Sequence, residues 1–132
     1  MRVALAANRR VNLDLIADHL AQTLAAMPLS TTILLRKGKS RPPQAFERRA
    51  AELCDSLGIN VEWAVPQGSG REASFHRDNA LISSADWLIA YMSDESPPDA
   101  GTAHVIDAAI REDLPSVAYL TSGEELSWLG GM

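Results

Sequence analysis

Two short polar stretches carry residue types that could bind or transform a small anion. Asn8-Arg9-Arg10 follows directly on the apolar run Val3 to Ala7, and Gly101-Thr102 stands just ahead of the amphipathic stretch Ala103 to Arg111. Arginine offers a planar fork of N–H donors that suits phosphate oxygens, and an asparagine amide can read a base or sugar edge. A glycine at a helix start lets an anion approach unpaired backbone N–H groups at the positive end of the helix dipole. The Thr102 hydroxyl adds one further donor, which makes the turn a candidate cradle for phosphate or carboxylate. The plainer alternative is a solvated turn with surface arginines and a threonine that merely caps a helix.

Arg77 and Asn79, with His76 beside them, fall in the first turns of the candidate helix that leads into the fourth strand and are expected over the same end of the fold. Arg36, Lys37 and Lys39 follow the second strand, as contacts for a distal phosphate or as a solvated loop. Ser93 opens a loop bearing Asp94, Glu95 and Asp99, whose oxygens suit Mg²⁺ or ribose hydroxyls, or form an ordinary acidic surface loop. His19, His76 and His104 lack metal-ligand spacing, so no metal and no cofactor are expected. Cys54 lies on an apolar helix stripe, and a single cysteine forms no internal disulfide. Gly-x-Gly-x-x-Gly, Walker A and Gly-x-Ser-x-Gly patterns are absent.

The elements that must position these residues alternate along the chain. Val3 to Ala7 and Trp87 to Tyr91 are continuous apolar runs, the pattern of strands buried on both faces. Thr31 to Leu35, β-branched and apolar, is a second strand, and Val117 to Leu120 is the fifth. Ile59, Val61, Trp63 and Val65 alternate with less apolar residues, as in an edge strand. Helices are predicted from Leu13 to Met27, stopped by Pro28, and from the Pro42-Pro43 pair to a cap at Gly58. Two more run from Ser74 to about Ser84 and from Gly101 to Asp113, with a last helical turn at Glu124 to Leu129. Five strands and four helices in alternation predict one Rossmann-like α/β domain over 1–132. It has three α/β/α layers and a five-stranded parallel sheet in the order 3-2-1-4-5. Ligands of such sheets bind outside the carboxyl ends of the strands where the connection direction reverses, here between strands 1 and 4. The site is therefore expected from Ala7 to Arg10 and from Ser93 to Thr102.

Composition narrows the partners. With 132 residues, 46% of them hydrophobic, the chain can bury a core and does not read as disordered. A formal net charge of −5 argues against general nucleic-acid binding, though not against a small anion held by a few local arginines. No apolar run reaches membrane-spanning length and the first residues do not read as a signal peptide, so a cytoplasmic location is expected.

Phe75-His76-Arg77-Asp78-Asn79, Ala85-Asp86-Trp87-Leu88-Ile89-Ala90-Tyr91 and Gly101-Thr102-Ala103-His104 together resemble the SLOG superfamily of Rossmann-like proteins. That group includes the DNA-processing protein A domain and the "lonely guy" phosphoribohydrolases, and its short bacterial and phage members are the nearest in pattern. Ala7-Asn8-Arg9-Arg10 is similar to its first-strand Gly-Ser-Arg loop. The resemblance implies a nucleotide-binding crevice at the strand-order reversal and a homodimer. Its glycosidic-bond-cleaving members carry Gly-Gly-x-Gly-Thr-x-x-Glu, whereas Val105 stands here at the glutamate position, and a valine can neither stabilise an oxocarbenium ion nor activate water. Nucleoside deoxyribosyltransferases have a similar Asp-x-Gly-Thr turn and meet the same objection. The leading expectation is a binding or sensor domain for a nucleotide or nucleotide-like small molecule, held by Asn8, Arg9, Arg10, Arg77, Asn79, Ser93, Asp99, Gly101 and Thr102. The alternatives are an enzyme acting at the N-glycosidic bond of a nucleoside monophosphate and a small interaction module docking through Trp128.

Overall fold

The computed structural model of the chain describes residues 1–93, 100–122 and 125–131. Its elements are β1 (Arg2–Ala7), α1 (Leu13–Ala25), β2 (Thr32–Arg36), α2 (Ala45–Leu57), β3 (Asn60–Ala64), α3 (Gly70–Ser83), β4 (Trp87–Ser93), α4 (Ala100–Arg111), β5 (Ser116–Ser122) and β6 (Glu125–Gly131). They form one six-stranded sheet in the order β3-β2-β1-β4-β5-β6. The first five strands are parallel, with β1 between β2 and β4, and β3 is an edge.

The end of the chain corrects the expected architecture. The sheet has a sixth strand, and residues expected to form a last helical turn instead run antiparallel to β5. Leu126 and Leu129 sit three apart and suggest a helix, but so short an apolar run has no decisive period. The stretch pairs because β5 otherwise ends the sheet with unsatisfied backbone groups, and β6 satisfies one side of it.

The two sheet faces follow from the period-two alternation of the central strands. Val3, Leu5 and Ala7 of β1, Ile33 and Leu35 of β2, and Ile89 and Tyr91 of β4 pack against Ile16, Leu20, Leu24, Phe46, Ala50 and Cys54 of α1 and α2. Ala4, Ala6, Leu34 and Leu88 point the other way and pack against Leu81, Ile82, Val105, Ala108 and Ala109 of α3 and α4. The small Ala4 and Ala6 let α4 settle directly over β1.

Local signals explain the helix boundaries. The Asn12 side chain caps α1 by accepting from the Leu15 N–H at 3.3 Å. Gly58 ends α2 in the left-handed region (φ 72°), as expected for a glycine C-cap. Helix α3 begins about a turn earlier than the Ser74 cap predicted. Gly70 takes a φ of 89°, which other residues adopt only with strain, and turns the chain from Ser69 straight into the helix. That early start places Arg71, Ser74, Phe75 and Asp78 at i, i+3, i+4 and i+7, on one helical face.

Candidate functional site

Every α/β connection of the parallel part brings a helix N-terminus to the carboxyl end of the sheet, and a cationic cavity opens there. It encloses about 510 Å³ and is bordered by Ala7 and Arg9 after β1, Arg36 to Gly38 at the end of β2, and the first turn of α2. The Arg71, Ser74, Phe75, Arg77 and Asp78 group of α3, with Gly101 of α4, completes it. Its volume is in the ordinary range for small-molecule sites.

The cavity's charge differs from that of the chain. Six cationic side chains (Arg9, Arg36, Lys37, Arg41, Arg71 and Arg77) face two carboxylates, Glu47 and Asp78. A chain with formal charge −5 thus concentrates positive charge in one concavity. Such a cavity focuses field on an anion more strongly than the same charges on an open surface.

Asp78 organises this floor. It is fully buried, about two turns into α3 and just ahead of the core residues Leu81 and Ile82. Its Oδ1 accepts from Arg77 Nε at 3.0 Å, while Oδ2 lies 3.7 Å from Arg36 Nη1 and 3.5 Å from His104 Nδ1. Arg77 also donates through Nη1 to the Lys37 carbonyl at 3.1 Å, which ties α3 to the end of β2 and leaves its fork little freedom. Arg36 is the last residue of β2 and shares the parity of Leu34, so its side chain turns to the α3/α4 face, where Asp78 waits. Its Nε is buried without a hydrogen-bond partner among the described residues. His104 stacks on Phe75, with centroids 4.2 Å apart and planes 19° from parallel, closing the cluster on the α4 side. The Lys37 ammonium lies 5.2 Å from the centre of the Trp63 ring.

The sequence-selected residues divide into two groups. Arg9, Arg77 and Gly101 border the cavity together. Asn8 is buried under it, with its backbone N–H donating to the Tyr91 carbonyl and its Oδ1 accepting from the Arg10 N–H, so it shapes the turn after β1. Arg10 and Asn79 are exposed and Ser93 is buried, and none of the three borders the cavity. The Thr102 hydroxyl is fully buried and donates to the Ala7 carbonyl at 3.1 Å, pinning the start of α4 to the end of β1 rather than facing the cavity. Asp94, Glu95 and Asp99 lie outside the described residues. Val105 is core, wedged with Ala108 and Ala109. Among the described residues no group of three or more His, Cys, Asp or Glu side chains is placed to hold a metal ion.

Arg41, Arg71, Glu47 and Asp78 are the charged cavity residues that sequence reasoning missed. Glu47 and Asp78 each lie on the buried stripe of an amphipathic helix, Glu47 with Ala50 and Cys54, Asp78 with Leu81 and Ile82. A carboxylate within an apolar stripe is the signal that could have found them.

A second polar cluster lies away from the cavity, under α1. The Tyr91 hydroxyl meets His19 Nδ1 at 2.9 Å, and Tyr119 stacks on Tyr91. Burial pushes the His19 pKa below its ordinary 6.5, and burial, then the neighbouring Tyr119, pushes the Tyr91 phenol up. These groups tie α1 to β4 and β5.

Comparisons with protein-family models, curated proteins and solved structures give no match to this chain.

Proposed function

We propose that this chain binds a nucleotide or nucleotide-derived small molecule in the crevice at the carboxyl ends of β1 and β4, with its phosphate seated in the cationic cavity. The observation that carries the reading is the concentration of six cationic side chains against two carboxylates in one cavity of an acidic chain, beside the strand-order reversal. Phosphate suits this lining because guanidinium forks make paired, charge-assisted hydrogen bonds to its oxygens. The reading further places the chain with the SLOG superfamily, in the cytoplasm and as a homodimer. It is compatible with the finding that no helix among the described residues is long and apolar enough to cross a membrane.

A thermal-shift screen against nucleoside mono-, di- and triphosphates, cyclic nucleotides and dinucleotides tests it. A ligand at about 100 times its dissociation constant adds about 2.7 kcal/mol of stability. The expected result is a stabilising nucleotide whose effect is lost in Arg77→Ala. No shift across the panel with folded protein would overturn the reading and leave the interaction module, with Trp128 66% exposed on the edge strand β6, as its replacement.

One observation favours a second reading, cleavage or transfer at an N-glycosidic bond. Glu47 borders the cavity yet is only 5% exposed, so a carboxylate is present although Val105 supplies none. Incubating the stabilising nucleotide with the protein and with Glu47→Gln separates the readings. Release of free base by the native chain alone supports turnover, and unchanged ligand supports binding.

A further inference from the structure

The cavity holds more positive charge than one phosphate can balance. Its six cations and two carboxylates leave an excess of four positive charges. A phosphate monoester brings only about −1.5 to −2 at pH 7, and each linked phosphoryl group adds roughly one more negative charge. A monophosphate would therefore leave about half of the excess uncompensated, and two or three linked groups would cancel it.

The arrangement of the cations has the same sense. Arg9 and Gly101 stand by β1 and α4, at the reversal. Arg36, Lys37 and Arg41 extend the lining past β2 toward the start of α2, and Arg71 faces them from the first turn of α3. The lining thus continues away from the reversal by at least one strand spacing, about 4.8 Å. At its far part Arg36 is 91% buried as a side chain, borders the cavity, and keeps its Nε without a hydrogen-bond partner among the described residues. Burying a guanidinium N–H without an acceptor is costly, and an anion oxygen is the acceptor that this position lacks.

We infer that the β2 side of the cavity is a subsite for the distal phosphoryl groups of a polyphosphorylated ligand, formed by Arg36, Lys37, Arg41 and Arg71. This rests on the nucleotide reading for the proximal part of the ligand, but its own chemistry is that of linked phosphates. Arg36, held by Asp78, is the fixed donor of the subsite. Arg41 and Arg71, both exposed, close on the outer oxygens.

Calorimetric titration without divalent metal tests it, using orthophosphate, pyrophosphate and tripolyphosphate, and then one nucleoside as its mono- and triphosphate. Affinity should rise at least tenfold from orthophosphate to tripolyphosphate. Arg41→Ala and Arg71→Ala, at exposed positions where folding is safe, should each weaken tripolyphosphate and the nucleoside triphosphate about tenfold. The same variants should weaken the nucleoside monophosphate by a clearly smaller factor than the triphosphate. Equal affinity for the three inorganic anions, or equal losses for mono- and triphosphate, would overturn the subsite. If nucleoside monophosphate still binds in that case, the nucleotide reading stands alone. Tight tripolyphosphate binding that needs Arg71, with no nucleotide bound, would support the subsite and remove the nucleotide.

Discussion

Asp78→Asn is the substitution that probes the cavity floor most sharply. The exchange keeps side-chain size and removes one negative charge from a position with 1% side-chain exposure, flanked by Arg36 at 9% and Arg77 at 12%. These two guanidinium groups are then left buried without their counter-charge. Removing one partner of a buried ion pair costs about 3–5 kcal/mol, because the remaining charge stays desolvated. For a chain of this size each kcal/mol lowers the melting temperature by about 4 °C, so a fall of about 12–20 °C is expected. Polyanions should partly reverse it, since a bound phosphate replaces the lost counter-charge. Melting curves with and without saturating pyrophosphate should therefore show a larger stabilisation of the variant than of the native chain. The reasoning is refuted if Asp78→Asn melts within about 2 °C of the native chain, which corresponds to less than 1 kcal/mol. It is equally refuted if pyrophosphate stabilises the variant less.

Three further outcomes follow from groups outside the anion contacts. Thr102→Val should cost about 1–3 kcal/mol in urea unfolding, because the buried Ala7 carbonyl loses its donor, while ligand affinity measured by calorimetry changes less than threefold. Burial lowers the His19 pKa in the folded state, so the unfolded chain takes up that proton first as pH falls. The His19 contribution is then fully present above pH 6.5 and declines below it, and the pH dependence of the melting temperature between pH 5 and 7 should be flatter in His19→Gln. Burial pushes the Cys54 thiol up to about 11, so it should resist a thiol-specific reagent at pH 8 until denaturant is added, and rapid labelling of the native chain would contradict its buried position.

The parts of the fold that can be read from sequence are those where one physical signal dominates. Val3 to Ala7 and Leu88 to Tyr91 are apolar at every position because both faces of β1 and β4 are covered there, while Trp87 at the start of β4 is exposed, and Gly58 marks its helix end through a backbone conformation that suits glycine. β6 was not legible, since its pairing depends on an available β5 edge rather than on its own spacing, although the Ser122-Gly123 dipeptide is a turn signal. The start of α3 was misplaced because a serine cap and a positive-φ glycine competed within five residues, and the glycine won. The site divides in the same way. Arg9, Arg77 and Gly101 follow from the strand order, which fixes where the loops converge. Asp78, Glu47 and the inward turn of Arg36 depend on tertiary partners that satisfy buried charge, and a charged side chain in sequence is by default assigned to a solvated face. Thr102 shows the converse, a residue of the right type at the right turn whose hydroxyl is taken by the backbone of β1.

The central claim is that phosphate sits among these guanidinium groups at the carboxyl end of the sheet. The most direct test is a ¹⁵N-edited NMR titration of the labelled chain with the nucleotide that stabilises it most, following the arginine Nε–Hε signals together with the backbone amides. The account predicts that the Arg36, Arg71 and Arg77 side chains and the amides of 7–9, 36–38 and 71–78 shift along one saturating isotherm while those of β6 stay in place. Unchanged arginine signals at saturation, or shifts centred on β6, would contradict it.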